Sequence, residues 1–328
     1  MKIPKTHLRR IALAAIFGGN KLAKIGIPIM HIRGRMDGIL LVLAKKGYFV
    51  NYNLYSFNQG VARPNRKKSQ SSNRKTAIVI QGPVDPKLGI NHYLNLIHHY
   101  RNIELCDLVV LSTWRSAFSS VLEGELSSFN IATVLNDLPQ EGIKSNFAKQ
   151  VLTTNSGIEK AISQSATHIL KIRTDQYFFS PSFLDEIYAN YLAKSNQPNS
   201  DKLVALTTNS FTNRIYSISD FLQFGSAEAV AKYWRFPKGY NPDLKPEQIP
   251  ESMLFTNFIT NQDEVPENTI ADYHRLLAKY FILVEPNSLG YYWSKYTSQN
   301  NFYWNNMDSQ LEEFTLGKWL KIIDAHRD

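Results

Sequence analysis

The chain contains little cysteine and no long apolar run. Its 328 residues include a single cysteine, Cys106, so no disulfide can form within the chain. This scarcity is typical of proteins kept in a reducing compartment. No uninterrupted apolar stretch in the sequence approaches the roughly 18 residues that a membrane-spanning helix needs. We therefore expect a cytoplasmic protein that meets the inner membrane only peripherally.

Several motifs of nucleotide and metal chemistry are also missing. The sequence has neither the GxGxxG nor the GxxxxGK[ST] phosphate loop, which argues against a dinucleotide enzyme and a P-loop kinase. HExxH, paired CxxC and GxSxG are absent as well, so zinc-site and serine-hydrolase chemistry have no support. The pair His98-His99 lies on a predicted helix, where a solvated face explains it better than a metal site does.

Acidic residues are nearly missing from the N-terminal part. Residues 1–76 hold 16 Lys or Arg and one acid, Asp37, whereas the whole chain has a net charge of +9. The remaining body is therefore mildly acidic, which makes a nucleic-acid binder the weakest option. Residues 1–61 mix apolar and basic positions and are predicted to be helical. Residues 62–75 are rich in Ser, Asn and basic side chains, which predicts a linker.

The basic segment fits helices that lie on an anionic membrane surface, and we expect residues 1–76 to bind one. The alternative is that these helices pack on the main domain with their lysines solvated, because charge runs are commonly solvated faces. The start of the chain also resembles a weak signal peptide, but no small-x-small cleavage site follows it.

From Thr76 onward, short apolar runs alternate with helical segments. Strands are predicted in TAIVIQG, CDLVVLSTW, IATVLND, HILKIRTD and KLVALTTN, and helices at 89–101, NFAKQVLTTNSGIEKAISQS and PESMLFTNFIT. SDFLQFGSAEAVAKYW indicates a strand and a turn followed by a helix. This alternation predicts a Rossmann-type α/β domain at 76–328, with a mainly parallel sheet flanked by helices.

Ligands of such sheets bind at the carboxyl ends of the strands. The predicted ends carry polar or turn-forming residues: Gln81-Gly82-Pro83, Ser112-Thr113-Trp114, Asn136-Asp137 and Arg173-Thr174-Asp175. The sequence therefore predicts a binding site at this edge of the sheet.

The run KIRTDQ is the sharpest local feature. A carboxylate at a strand end suits a hard divalent cation, since Mg²⁺ takes one or two protein carboxylates and completes its shell with phosphates and water. If the strand continues that far, Arg173 and Asp175 share a face and present a guanidinium for phosphate beside a carboxylate for metal. A structural ion pair at a strand end is the alternative, and the motif alone does not decide between them.

Two further patterns suit a sugar-binding site. Asn146 and Gln150 are one helical turn apart, where their amides can bond a sugar or phosphate, or Asn146 can cap the helix. The aromatic residues of 288–304 can stack on sugar rings, although core packing explains most of them.

The ordered runs AIVIQGPVD, LSTW, NFAKQVLTTNSGIEKA and HILKIRTDQ, followed by SISDFLQFGSAEAV and PESMLFTNFI, resemble the WavE lipopolysaccharide-synthesis family. The resemblance covers about residues 76–260. It implies a GT-A-like glycosyltransferase that moves a sugar from a nucleotide-sugar donor to a lipopolysaccharide core or capsule glycan. In such enzymes a strand-end acidic motif binds Mg²⁺ or Mn²⁺ on the donor diphosphate. Here R-T-D replaces D-x-D, so Asp175 is the remaining metal ligand and Arg173 can take part of the phosphate charge.

The expected site has three parts. The nucleotide end is assigned to Gln81, Gly82 and Trp114. The diphosphate, metal and donor sugar are assigned to Asn146, Gln150, Arg173 and Asp175. The acceptor side is assigned to Asp220 and Glu251.

Glu251 is the predicted general base. An inverting transferase needs a carboxylate beside the acceptor hydroxyl, and Glu251 opens a predicted helix whose dipole favours its ionised form. Asp220 is the second candidate, and an ordinary first-turn glutamate is the alternative. Two other classes stay open for the chain. One is another nucleotide-dependent transferase, such as a phosphoglycosyl or cytidylyl enzyme, and the other is a non-catalytic scaffold on the membrane surface.

Overall fold

The computed structural model describes residues 74–85, 90–129, 131–137, 146–195, 200–237, 249–293 and 311–326, without the side chains of 91, 92, 292 and 293. The predicted basic helical segment, residues 1–61, lies outside the described residues, as does the predicted linker up to residue 73. Both stay predictions.

Nine strands are present in the described residues. Their bounds are β1 Thr76–Gln81, β2 Leu108–Trp114, β3 Ala132–Asn136, β4 His168–Arg173, β5 Gln176–Phe178, β6 Leu203–Leu206, β7 Gln223–Ser226, β8 Phe281–Val284 and β9 Tyr291–Trp293. Seven of them form one sheet in the order β3-β2-β1-β4-β7-β6-β8, and β5 pairs with β9 in a separate two-stranded ribbon. Neighbours in the large sheet are parallel except around β7, which is antiparallel to β4 and β6. The predicted mainly parallel α/β sheet is therefore confirmed.

Helices flank this sheet. Their bounds are α1 Ile90–Arg101, α2 Ser120–Ser128, α3 Asn146–Ser163, α4 Phe183–Ser195, α5 Ala227–Trp234, α6 Pro250–Thr260, α7 Ile270–Tyr280 and α8 Leu316–Ala325. Their starts follow local chemistry: the Ser226 hydroxyl accepts a hydrogen bond from the Ala229 amide to begin α5, and Pro250 begins α6 as predicted. Within the described ranges, no helix combines the length and apolar character needed to cross a bilayer.

Helix α3 packs directly on the centre of the sheet. A Cβ placed on Gly157 would lie 2.6 Å from Cγ1 of Val79 in β1 and 3.0 Å from Cβ of Ser112 in β2, so the helix backbone needs a glycine to come this close. The chain enters α3 after β3 and leaves it for β4, two strands of the same direction. The helix therefore begins at the carboxyl edge of the sheet, which puts its first turns beside the predicted site.

The reversed direction of β7 decides which residues join this edge. Lys171 of β4 pairs with Gln223, the first residue of β7. Because the two strands are antiparallel, the residues that precede β7, and not those that follow it, lie beside the carboxyl end of β4. Asp220 is thus brought to the edge that also carries Arg173.

A candidate active site at the carboxyl edge of the sheet

An arginine between two carboxylates forms the centre of the candidate site. Arg173 donates to Asp175 through Nε at 3.0 Å and through Nη2 at 3.1 Å, and its Nη1 lies 3.5 Å from Oδ2 of Asp220. The exposed fractions of the three side chains are 22% for Arg173, 26% for Asp175 and 8% for Asp220. The ions are thus shielded from bulk water yet open on one side, as a site for a charged ligand requires.

Strand β4 ends earlier than the sequence predicted. Its last residue is Arg173, so Thr174 and Asp175 belong to the following turn. Arg173 and Asp175 were expected to share a strand face if the strand continued to Asp175, and it does not. The turn itself brings the Asp175 carboxylate back onto the guanidinium in a two-bond geometry, which is the strongest and most directional form of this ion pair.

Helix α3 contributes an amide to the same cluster. Nε2 of Gln150 donates a short hydrogen bond to Oδ2 of Asp220, the oxygen that also faces Arg173. Asn146 is exposed at the first residue of α3, one turn before Gln150. The structure thus brings Gln150, Arg173, Asp175 and Asp220 into one contact network, although the sequence had assigned Asp220 to a separate acceptor side.

Glu251 stands at the start of α6 and is held by an asparagine that the sequence analysis missed. Nδ2 of Asn209 donates to Oε1 of Glu251 at 3.1 Å, and the backbone amide of Asn209 donates to Glu313. Asn209 is fully buried and has a φ of 62°, a left-handed conformation that asparagine tolerates better than most residues. Its only signal in the sequence was its place as the last, polar residue of the predicted strand KLVALTTN.

The pKa of Glu251 is raised, first by burial of its carboxyl group and then by the negative charge of Asp220. This electrostatic coupling connects Glu251 to the Arg173 cluster. A carboxylate whose pKa is moved toward neutrality is a better proton acceptor than an ordinary surface glutamate. The charge of one predicted acceptor-side acid, Asp220, thus acts on the other, Glu251.

The end of β1 is built as a close turn against β4. Gly82 has a φ of +126°, and its amide donates to the Ser112 carbonyl at 3.1 Å. The Thr174 amide donates to the Gln81 carbonyl at 2.9 Å, and the Thr174 hydroxyl donates to the Pro83 carbonyl at 2.9 Å. This turn holds the chain just before Asp175 in position.

The other predicted nucleotide-side residues are mostly buried. Oε1 of Gln81 accepts from the Thr153 hydroxyl of α3 at 3.0 Å, so this side chain joins the helix to the sheet. Trp114 ends β2 and is 7% exposed. It lies two strands from Arg173, about 10 Å away at the usual strand spacing. Asn136, at the end of β3, bonds Oγ of Ser112 at 3.0 Å.

The donor set does not fit a preformed metal site. Both oxygens of Asp175 accept from Arg173, so a cation would have to displace the guanidinium. Within the described ranges, no three His, Cys, Asp or Glu side chains converge in a way that could hold a metal ion. Arg173 itself supplies the positive charge here, and the Mg²⁺ or Mn²⁺ expected at Asp175 stays a prediction.

The aromatic C-terminal region is only partly described. Tyr291 packs on Phe178 with ring centroids 5.3 Å apart and on Phe221 at 6.3 Å, and Nε2 of Gln176 donates to its hydroxyl at 3.2 Å. Tyr291 is thus partly buried and packs against the core, in keeping with the core packing favoured for most of the region. Residues 294–304 lie outside the described residues.

Together these observations define an α/β protein with a charged, partly buried site at the carboxyl edge of its parallel strands. A family model described as WavE lipopolysaccharide synthesis matches residues 76–307. The chain therefore belongs to the WavE lipopolysaccharide synthesis family, which confirms the resemblance found in the sequence. No curated protein matches the chain significantly.

Solved structures show only distant similarity. A CMP:2-keto-3-deoxy-manno-octonic acid synthetase complexed with CTP is 10% identical, with a TM-score of 0.37 over 64% of this chain and 89% of that one. A mannose-1-phosphate geranyltransferase from Thermus thermophilus is 10% identical, with a TM-score of 0.34 over 65% and 74%. A cytidylyltransferase from Leptospira borgpetersenii is 12% identical, with a TM-score of 0.34 over 62% and 86%.

Proposed function

We propose that the protein is a glycosyltransferase that moves a sugar from a nucleotide-sugar donor to a lipopolysaccharide core or capsule glycan. Membership of a lipopolysaccharide synthesis family supports this class of reaction. The single observation that carries the proposal is the cluster at the carboxyl edge, where Arg173 lies between Asp175 and Asp220 and Glu251 is coupled to Asp220.

The two ends of the reaction need different chemistry. The leaving nucleoside diphosphate gains negative charge, which a fixed cation stabilises, and Arg173 is the cation within this cluster. Asp175 binds the guanidinium through two hydrogen bonds and thereby fixes its orientation before any ligand binds. The acceptor hydroxyl must lose a proton, and a carboxylate with a raised pKa suits that step.

Glu251 is the better base of the two candidate acids. Oδ2 of Asp220 already accepts from Gln150 and faces Arg173, so Asp220 serves to hold the cluster together. The carboxylate of Glu251 accepts from the neutral amide of Asn209, and its pKa is raised by burial and by Asp220. We therefore assign proton removal to Glu251 and the positioning of Arg173 and Gln150 to Asp220.

The first experiment is a thermal-shift screen of the full chain against nucleotide sugars. A ligand present at 100 times its dissociation constant stabilises a fold by about 2.7 kcal/mol, which is easily detected. A donor found in this way is then tested for transfer to lipopolysaccharide core and capsule acceptors, with the product identified by mass spectrometry. A product that carries a nucleotidyl or sugar-phosphate group would instead support the other class of transferase, and failure to bind any nucleotide would support the scaffold.

The second experiment compares two glutamates in the first turns of helices. Glu251→Gln should lower kcat by about 10²–10⁴-fold, the usual contribution of a general base, with donor affinity unchanged. Glu228→Gln, in the first turn of α5 and 76% exposed, is the matched control and should leave kcat unchanged. Equal activity of the two variants, or a product that retains the donor's anomeric configuration, would exclude the assigned base.

The role of a metal ion is tested separately. If Arg173 supplies the charge, EDTA should leave transfer unchanged, and Asp175→Asn should weaken donor binding because the guanidinium loses its fixed orientation. Loss of activity in EDTA, restored by Mn²⁺ or Mg²⁺, would instead support the cation predicted at Asp175.

A further inference from the structure

A lysine is buried under the candidate site. Lys171 lies in the middle of β4 and is 0% exposed. Its Nζ donates to the backbone carbonyl of Asp220 at 2.5 Å and lies 4.1 Å from the centre of the Trp234 ring. Lysine is almost never fully buried unless it is paired. These two contacts are thus the partners that allow its ammonium group to remain in the core.

The backbone around Asp220 is held from the sheet at two successive carbonyls. Lys171 holds the carbonyl of Asp220, and Nε2 of Gln223 donates to the carbonyl of Ser219 at 2.5 Å. Nε1 of Trp234 in turn donates to Oε1 of Gln223 at 3.2 Å. Lys171 and Gln223 are cross-strand partners in the sheet, so the donors of both hydrogen bonds lie on paired strands.

The Asp220 residue is therefore fixed on two sides. Lys171 holds its backbone from within the core, while Gln150 and Arg173 bind its carboxylate at the edge. A methionine of similar length would fill the core without the cost of burying a charge. The ammonium thus contributes a specific hold on the carbonyl in addition to filling space.

We infer that Lys171 is a positioning residue of the site, whose buried ammonium holds the Asp220 backbone so that the Asp220 carboxylate meets Arg173 and Gln150. Its importance for turnover rests on the proposed glycosyl transfer, whereas its hold on residues 219–221 does not. This arrangement needs no ligand, because every contact involved lies within the protein.

The ionisation of Lys171 gives this role a measurable pH dependence. Burial lowers the pKa of Lys171 to about 7, although the negative charge of Asp220 opposes the decrease. Of the other charged groups that act on it, Arg173 lowers the pKa further and Asp175 raises it, while α5 contributes the neutral Trp234 ring and β7 the neutral Gln223 side chain. The hold on Asp220 should therefore weaken as the pH rises through about 7.

The first test does not depend on activity. Backbone hydrogen exchange of residues 219–221 is measured in the full chain at pH 6 and pH 8, corrected for the intrinsic rate. We expect protection at pH 6 that decreases at pH 8 in the parent chain. In Lys171→Met we expect lower protection at pH 6 and no change between the two pH values, because the bond from Gln223 remains. Lys202→Met is the matched control, because Nζ of Lys202 also donates to a backbone carbonyl, that of Ala278 at 3.1 Å. Unchanged exchange in Lys171→Met, or the same loss in Lys202→Met, would overturn the inference.

The second test separates positioning from folding. Lys171→Met should lower kcat by about 100-fold, as a small misplacement of a site residue can, and should weaken donor binding, because Arg173 and Gln150 lose the fixed position of their partner Asp220. It should also abolish the alkaline limb of the kcat profile near pH 7. If Lys171→Met does not fold, Trp234→Phe replaces it, since a phenyl ring stabilises a cation less than indole does and should move the limb to lower pH. An alkaline limb that persists in the kcat profile of Lys171→Met, or that does not move in Trp234→Phe, would overturn the inference. Absence of transfer in the parent chain, with the exchange result intact, would exclude the proposed function only.

Discussion

The close turn at Gly82 makes a sharp prediction about the site's scaffold. A Cβ built on Gly82 would lie 2.7 Å from Oγ1 of Thr174, and the backbone has a φ of +126°. Gly82→Ala therefore introduces two independent costs. The alanine must adopt a conformation that L-residues rarely take, and the Thr174 hydroxyl must move away from its bond to the Pro83 carbonyl.

Both costs can be sized. The disfavoured backbone conformation costs about 1–3 kcal/mol, and loss of the Thr174 hydrogen bond costs about 0.5–1.5 kcal/mol. The sum predicts that Gly82→Ala lowers the free energy of unfolding by about 1.5–4.5 kcal/mol. Because Thr174 lies between Arg173 and Asp175, donor affinity should fall in the same variant.

Urea unfolding of the parent chain, Gly82→Ala, Thr174→Ala and the double variant measures the two costs separately. In the Thr174→Ala background the steric part is gone, so Gly82→Ala should cost about 1 kcal/mol less there than in the parent chain. Gly124→Ala is the control: it lies within α2, and in the described structure nothing stands within 4 Å of its Cβ. That variant should stabilise the protein by about 0.5–1 kcal/mol.

Two results would refute this reasoning. If Gly82→Ala changes the free energy of unfolding by no more than an ordinary surface substitution does, about 0.5 kcal/mol, the turn is not strained. If its cost is the same with and without the Thr174 hydroxyl, the predicted contact does not exist.

Four further predictions concern charge. The pKa of Glu251 is raised from 4.5 in the folded protein, so its contribution to stability is present at low pH and is lost as the pH rises through the raised pKa. Glu251→Gln should therefore raise the melting temperature more at pH 8 than at pH 4, and an equal increase at both would contradict this. Asp220→Asn removes one cause of the raised pKa of Glu251, so the acid limb of the kcat profile of any remaining transfer should move to lower pH. An acid limb that does not move would show that the charge of Asp220 does not act on Glu251. Arg173→Lys keeps the charge but cannot make both bonds to Asp175, so donor affinity should fall at least about tenfold in a thermal-shift titration, whereas unchanged affinity would remove Arg173 from the site. Deletion of residues 1–74 should release the protein from anionic vesicles, as added salt should for the full chain, and co-sedimentation of the truncated protein would show that this segment does not bind the membrane.

Local patterns in the sequence predicted most elements of the sheet and several helices. Apolar runs such as Thr76–Gln81 form strands that are buried on both faces, and Pro250 begins α6 as its fixed φ predicts. The sequence also predicted that site residues gather where the strands end, since parallel βαβ units bring their carboxyl ends to one edge. Residues 174–175 were misassigned to β4 because hydrophobic periodicity cannot locate the last paired residue.

Long-range pairing decided what the sequence left open. No local signal shows that β7 runs antiparallel to β4, yet this direction brings Asp220 to Arg173 and Gln150. The lysine in HILKIR was visible as a charge within an apolar strand, but its partners come from residues about 50 and 60 positions later along the chain.

The sequence by itself thus determined the class of fold, the family and the edge of the sheet where chemistry is expected, because these depend on periodicity and on the order of motifs along the chain. Only the tertiary structure decided that Arg173 pairs with Asp175, that Asp220 joins them, and that Glu251 has a raised pKa. The physical reason is that desolvation and Coulomb interactions act through space over a few ångströms. They depend on which distant segments pack together, and no short stretch of sequence contains that information.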